Sequence, residues 1–181
     1  MSGARTNFVR RWRIKGQGGQ SLIETALAIP LLLGLAFNMI NFGYMWFMVL
    51  TISAAPRMGA EFATQGGAAG TGVSVPSAAS ISDLVYENLT HAIQGATTSN
   101  ASVRVCTKTV GLNANGVAQC TSFGPAFGFS TPAADPEAPT FVLHRVDVNY
   151  KVTPVIPGKA FNIFIFSNLN FHRQVSMRSL Y

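Results

Sequence analysis

Charge is scarce in this chain. Of its 181 residues, 11% are Asp, Glu, Lys or Arg, less than half the roughly 25% usual for a soluble domain. Cysteine is scarcer still, with two residues, Cys106 and Cys120. Their spacing excludes the Cys-x-x-Cys clusters of structural zinc and redox sites. His91, His144 and His172 fall in separate segments with no His-Glu-x-x-His spacing, so no metal ligand set is expected. There is no Gly-x-Ser-x-Gly elbow, and the glycines of 66–72 neither follow a strand nor open a helix with a lysine. Nucleophile-elbow hydrolysis and phosphate-loop nucleotide chemistry are thereby excluded. Asp135 and Glu137 stand in a proline-rich loop and read as solvated. The chain reads as a non-enzyme without catalytic residues, metal or cofactor.

The charge that is present is unevenly placed. The net charge is +6, and Arg5, Arg10, Arg11, Arg13 and Lys15 all precede residue 20, where there is no acid. The remainder carries about +1 and shows no clustered basic patch, so no nucleic-acid partner is expected. A basic cluster beside an apolar helix is instead retained on the cytoplasmic side and attracts anionic lipid headgroups.

That apolar helix runs from Leu22 to Ile52, interrupted by Glu24. As helix the run spans about 46 Å, against a hydrocarbon core of about 30 Å, and it exceeds the 7–15 residues of a signal-peptide core. The excess predicts a helix that projects from the bilayer. Residues 57–65 can extend it, with Pro56 opening a new helical segment. Ala26, Pro30, Gly34, Asn38 and Asn41 follow one another at spacings of four, four, four and three. Such a band lets helix backbones approach and amides bond across an interface. A lone carboxylate such as Glu24 costs a few kcal/mol in lipid and is expected to be paired or functional.

Beyond Gly66-Gly67 the composition changes. Residues 66–80 are rich in Gly, Ala, Ser and Thr and read as a linker. Ile81, Leu84, Val85, Leu89, Ala92 and Ile93 predict an amphipathic helix over 80–94, with Ser80 or Ser82 as cap and Gly95 as stop. Val103, Val105 and Thr107 alternate with polar neighbours and predict a strand. A turn at 113–116 and a strand leading to Cys120 complete a hairpin. Far side of the membrane means an oxidising compartment, where Cys106 and Cys120 are expected to pair as a disulfide. Residues 123–139 read as a long loop whose Phe123, Phe127 and Phe129 either form an exposed contact surface or fold over a small core. Strands are expected at Val142–Val152, Phe161–Phe166 and Phe171–Met177, with Pro154 and Pro157 at strand ends or edges. The expected fold is α+β: a long N-terminal membrane helix, then a small antiparallel sheet with one packed helix. The expected layout is a basic leader at 1–19, the membrane and projecting helix at 20–65, the linker at 66–80 and an extracytoplasmic domain at 81–181.

Residues 18–33, GGQSLIETALAIPLLL, resemble the opening of TadE-like pseudopilins of the tight-adherence (Tad, or Flp) pilus, with a glutamate and a proline six residues later. Asn41-Phe-Gly43, Ala55–Ala63 and, more weakly, Arg173–Arg178 look like further family features. The resemblance implies a pilin-like fold and a processing site between Gly19 and Gln20, which would make Glu24 the fifth residue of the mature chain. It implies that Glu24, Pro30, Gly34, Asn38 and Asn41 serve assembly, Glu24 by meeting the free N-terminal amine of a neighbouring subunit. It implies a minor pilin in the bacterial inner membrane, its N-terminus cytoplasmic, aiding the assembly or tip of an adhesion fibre at the cell surface. Its partners would be other pilin subunits, a prepilin peptidase, the inner-membrane assembly platform and membrane lipid. Major Flp pilins are very short, so a distal domain of this size argues against a bulk fibre subunit. The alternatives are an uncleaved single-pass accessory or scaffold protein, and a type II secretion pseudopilin. Members of that last group usually begin the mature chain with Phe, where Gln20 stands here.

Overall fold

A computed structural model describes residues 18–65, 74–132, 134–156 and 169–178. One helix dominates it. α1 (Gly18–Gln65) runs unbroken for 48 residues with Pro30 and Pro56 inside it, about 70 Å at 1.5 Å per residue. Pro56 therefore does not start a new segment. A helix tolerates the missing N–H when neighbours hold the remaining turns in place, and here Ala55, Ala60 and Ala63 beside it are buried in the core.

α2 (Ala78–Ala92) begins two residues earlier than the sequence suggests, because Ser77 is its N-cap: its hydroxyl accepts from Ser80 N at 3.1 Å. Ser80 and Ser82 lie inside the helix, and Ser82 is buried. β1 (Ala101–Cys106), β2 (Cys120–Phe123), β3 (Leu143–Val152) and β4 (Leu169–Arg178) follow. They form one antiparallel sheet in the order β2-β1-β3-β4, so the chain is α+β. Cys106 and Cys120 are register partners at the end of the hairpin and are joined by a disulfide. By the chain-entropy account, closing a loop of this length stabilises the fold by about 3 kcal/mol. β2 starts at Cys120 rather than leading into it. The expected strand Phe161–Phe166 lies outside the described residues.

The register assigns the two faces of the sheet. Val103, Val105, Val146, Val148 and Tyr150 point to one face and are buried against α1 and α2. From α1 the core takes Met48, Ile52, Ala55, Ala60 and Ala63, and from α2 Ile81, Val85 and Leu89. The outer half of α1 is thus the spine of the domain. Gly59 marks the closest approach: a Cβ there would lie 2.6 Å from Val85 Cγ2 and 3.3 Å from Val146 Cγ1.

The other sheet face is polar yet also buried, carrying Ser102, Arg104, Arg145, Asp147 and Asn149. Alternation along β1 suggests a solvated face for Arg104, but residues 124–132 and 134–142 cross it. Gly124 starts this strap at φ +85°, where a side chain would meet Tyr86 Oη at 2.4 Å and Ala101 O at 2.6 Å. Only glycine adopts that geometry without strain.

Candidate assembly helix

At about 100° per residue, Pro30, Gly34, Asn38 and Asn41 share a face of α1, and Met48, Ile52, Ala55 and Gly59 continue that face outward. The globular domain covers the outer part. From Gly19 to Ile40 no residue is buried, and all but Gly34, Phe37 and Asn38 are exposed; these 22 residues span about 33 Å, the thickness of a hydrocarbon core. Leu22, Leu27, Leu31, Leu32, Leu35 and Met39 are each at least 58% exposed in this stretch. The helix is long and apolar enough to cross a membrane. The sequence run of 46 Å overshoots because Met48 and Ile52, apolar for the sake of the domain core, extend the hydrophobic segment past its bare part.

The structure divides the predicted assembly residues. Asn41 is engaged within its own chain: its Nδ2 donates to Ile156 O at 3.2 Å and its Oδ1 accepts from Ile156 N at 3.1 Å. An amide expected to face a neighbouring helix instead holds the loop after β3, 115 residues away. Asn38 Nδ2 donates back to Gly34 O at 2.8 Å, so both amides have partners within the chain. Glu24 and Pro30 are exposed and Gly34 half-buried. Gly19 and Gln20 are exposed in the first turn of α1, and a Cβ at Gly19 would meet nothing within 4 Å.

The distal domain holds the histidines apart. His91 is on α2, within 3.8 Å of Glu87. His144 and Asp147 occupy opposite faces of β3, as strand alternation predicts. His144 is 2% exposed on the helix-packed face, and neither ring nitrogen has a full hydrogen bond. Burial pushes its pKa below the usual 6.5, the charge of Lys108 lowers it further, and the backbone of Ala63 partly offsets both. A histidine kept neutral by folding takes up protons more readily in the unfolded chain. Its contribution is therefore present above the unfolded pKa and lost as pH falls from about 6.5 toward the lower folded value. Thermal unfolding of the detergent-solubilised protein is expected at a lower midpoint at pH 5 than at pH 7. His144→Leu should flatten that slope; an unchanged slope in the variant would contradict the assignment.

On the polar face, Asp147 is fully buried between Arg104 Nε at 2.9 Å and His172 Nε2 at 3.0 Å. Arg104 Nη1 donates to Ser130 O at 2.8 Å, and its guanidinium lies 4.8 Å from the centre of the Phe129 ring. Phe129 meets His172 edge-on at 6.0 Å, and Asn149 Nδ2 donates to Phe127 O. The phenylalanines of the strap thus fold over the sheet. Asp135 is buried rather than solvated: it accepts from Glu137 N and Leu143 N, and Arg178 reaches both Asp135 and Glu137. This cluster fixes the strap on the sheet, and no local sequence pattern reveals it because even its central pair, Arg104 and Asp147, is 43 residues apart. Among the described residues no group of three His, Cys, Asp or Glu side chains could hold a metal ion.

The family model described as TadE-like protein matches residues 19–61. The matched segment is α1 almost alone, from the bare half through the half that carries the core, and about a quarter of the chain. α2 and the sheet lie outside it. Neither a curated protein nor a solved structure matches the chain.

Proposed function

We propose that this TadE-like chain is a minor pilin, or pseudopilin, of a Tad-type pilus system. In this reading α1 anchors it in the inner membrane with the basic residues 5–15 on the cytoplasmic side. A prepilin peptidase cuts between Gly19 and Gln20, and the freed helix then joins an assembly with other pilin subunits on the inner-membrane platform. The observation that carries the reading is the division of α1. Its first half has no buried residue over one membrane thickness, with Gly34, Phe37 and Asn38 half-buried, while its second half is committed to the domain core. A helix built this way has a free lateral surface only where the membrane or neighbouring helices would lie. Glu24 stands on that surface about 6 Å along the helix from Gln20, within reach of an amine on a neighbour shifted by roughly one turn. The distal domain, braced by its disulfide and strap, presents no assembled catalytic group among its described residues and reads as a structural or tip element. The test is the mature N-terminus of the membrane-extracted protein, which this reading places at Gln20.

A further inference from the structure

We infer that the globular domain is seated on the outer bilayer surface, held there by a collar made of α1 residues 42–47 and the loop 153–156, with Val155 immersed in the lipid interface. The inference rests on the reading of the bare half of α1 as membrane-spanning. Immediately beyond that half stand Phe42, Tyr44, Trp46 and Phe47. Tyr44 packs on the domain core, whereas Phe42 and Trp46 on the opposite side and Phe47 on the flank are 54–58% exposed. They begin about 3 Å past Ile40 and end about 10 Å past it. A headgroup layer occupies roughly the first 5–8 Å beyond the hydrocarbon, and it is where amphipathic aromatic rings concentrate. The patch continues the lipid-facing stripe of α1 without a break.

The loop after β3 comes down to the same level. Asn41, the first buried residue of α1, bonds both backbone groups of Ile156, and next to it Val155 is 56% exposed. A loop in water has its free N–H and C=O groups solvated. At the edge of hydrocarbon an unpaired backbone group is expensive, and an amide side chain that satisfies donor and acceptor of one residue together meets that demand. The same contact sets the exposed Val155 at the depth of the aromatic patch.

The experiment uses the full chain reconstituted in phosphatidylcholine–phosphatidylglycerol vesicles. Both native cysteines are in the disulfide, so a single introduced cysteine can be spin-labelled selectively. Labels at Val155→Cys, at Leu27→Cys on the bare helix and at Asp83→Cys on the exposed side of α2 are compared for collision with oxygen and with a water-soluble nickel chelate. The expected oxygen-to-nickel ratio is highest at 27, several-fold above position 83 at 155, and lowest at 83. Adding Asn41→Ala should drop the ratio at 155 toward that at 83 while leaving 27 unchanged. A ratio at 155 equal to that at 83, with 27 immersed, overturns the seating and leaves the membrane reading intact; a water-exposed 27 defeats that reading itself. Spin–spin broadening at 155 that disappears on dilution with unlabelled protein would show a second copy on the patch and also overturn the proposal.

Discussion

Glu24→Ala is expected to leave membrane insertion intact and to remove the protein from any sheared surface-fibre fraction. The two effects separate because they have different physical origins. A carboxylate in the hydrocarbon opposes insertion by a few kcal/mol, so its removal helps the helix into the bilayer. In the proposed assembly the same carboxylate would be offered the amine of a processed neighbour, and the pair would replace two unfavourable isolated charges. Deleting one member of a desolvated ion pair costs about 3–5 kcal/mol, a loss of roughly a hundredfold or more in association. Quantitative immunoblots of the membrane and sheared fractions measure both terms. Glu24→Gln, which keeps the shape and loses the charge, should behave like Ala. Normal incorporation of either variant would remove the assembly role of Glu24. The variant should also fold normally, because Glu24 is exposed and far from the core.

Gly59→Leu is expected to destabilise the distal domain strongly. Gly59 is the point where α1 crosses α2 and β3, with Val85 Cγ2, Val146 Cγ1 and Ile81 Cγ2 at 2.6, 3.3 and 3.5 Å from where a Cβ would stand. Val85 and Ile81 are fully buried and branched at Cβ, so they have few rotamers into which to retreat. Gly59→Ala gains about 1 kcal/mol of helix propensity against an overpacking cost of about 1–3 kcal/mol, a small net loss. Leucine adds three more carbons to the same place and should cost upwards of about 3 kcal/mol, or more than 10 °C in thermal midpoint for a domain of this size. The pair of variants followed by thermal unfolding in detergent gives the ordering wild type, Ala, Leu. A midpoint unchanged in Gly59→Leu would mean that the two helices do not cross there.

Gly59 also shows where sequence reading succeeds and where it stops. Small residues at 26, 30 and 34 and again at 55, 59 and 63 state that something approaches α1 closely on one face. They do not state what. In the outer half the answer is the chain's own α2 and sheet, and Asn41 belongs to that half because its partner, Ile156, arrives through a fold the local pattern cannot express. In the inner half no residue of that face is buried. Elements with strong period were legible: α1, α2, the β1–β2 hairpin with its disulfide, β3 and β4. Ser77 is not legible as the cap because three serines within six residues offer the same chemistry, and only the backbone of the actual first turn distinguishes them. Arg104 and Asp147 look solvent-facing by alternation. They are buried because a glycine- and proline-rich strap with no period of its own folds across them. The TadE-like signature covers the long apolar helix, whereas the distal domain is legible as a fold alone.

Intact-mass and N-terminal peptide analysis of the protein extracted from its native membrane tests the central claim most directly. The expected mature chain begins at Gln20, with the five basic residues of the leader gone and Glu24 in fifth place. A mature protein that retains Arg5 through Lys15 would contradict it and would make the chain an uncleaved membrane anchor for its distal domain.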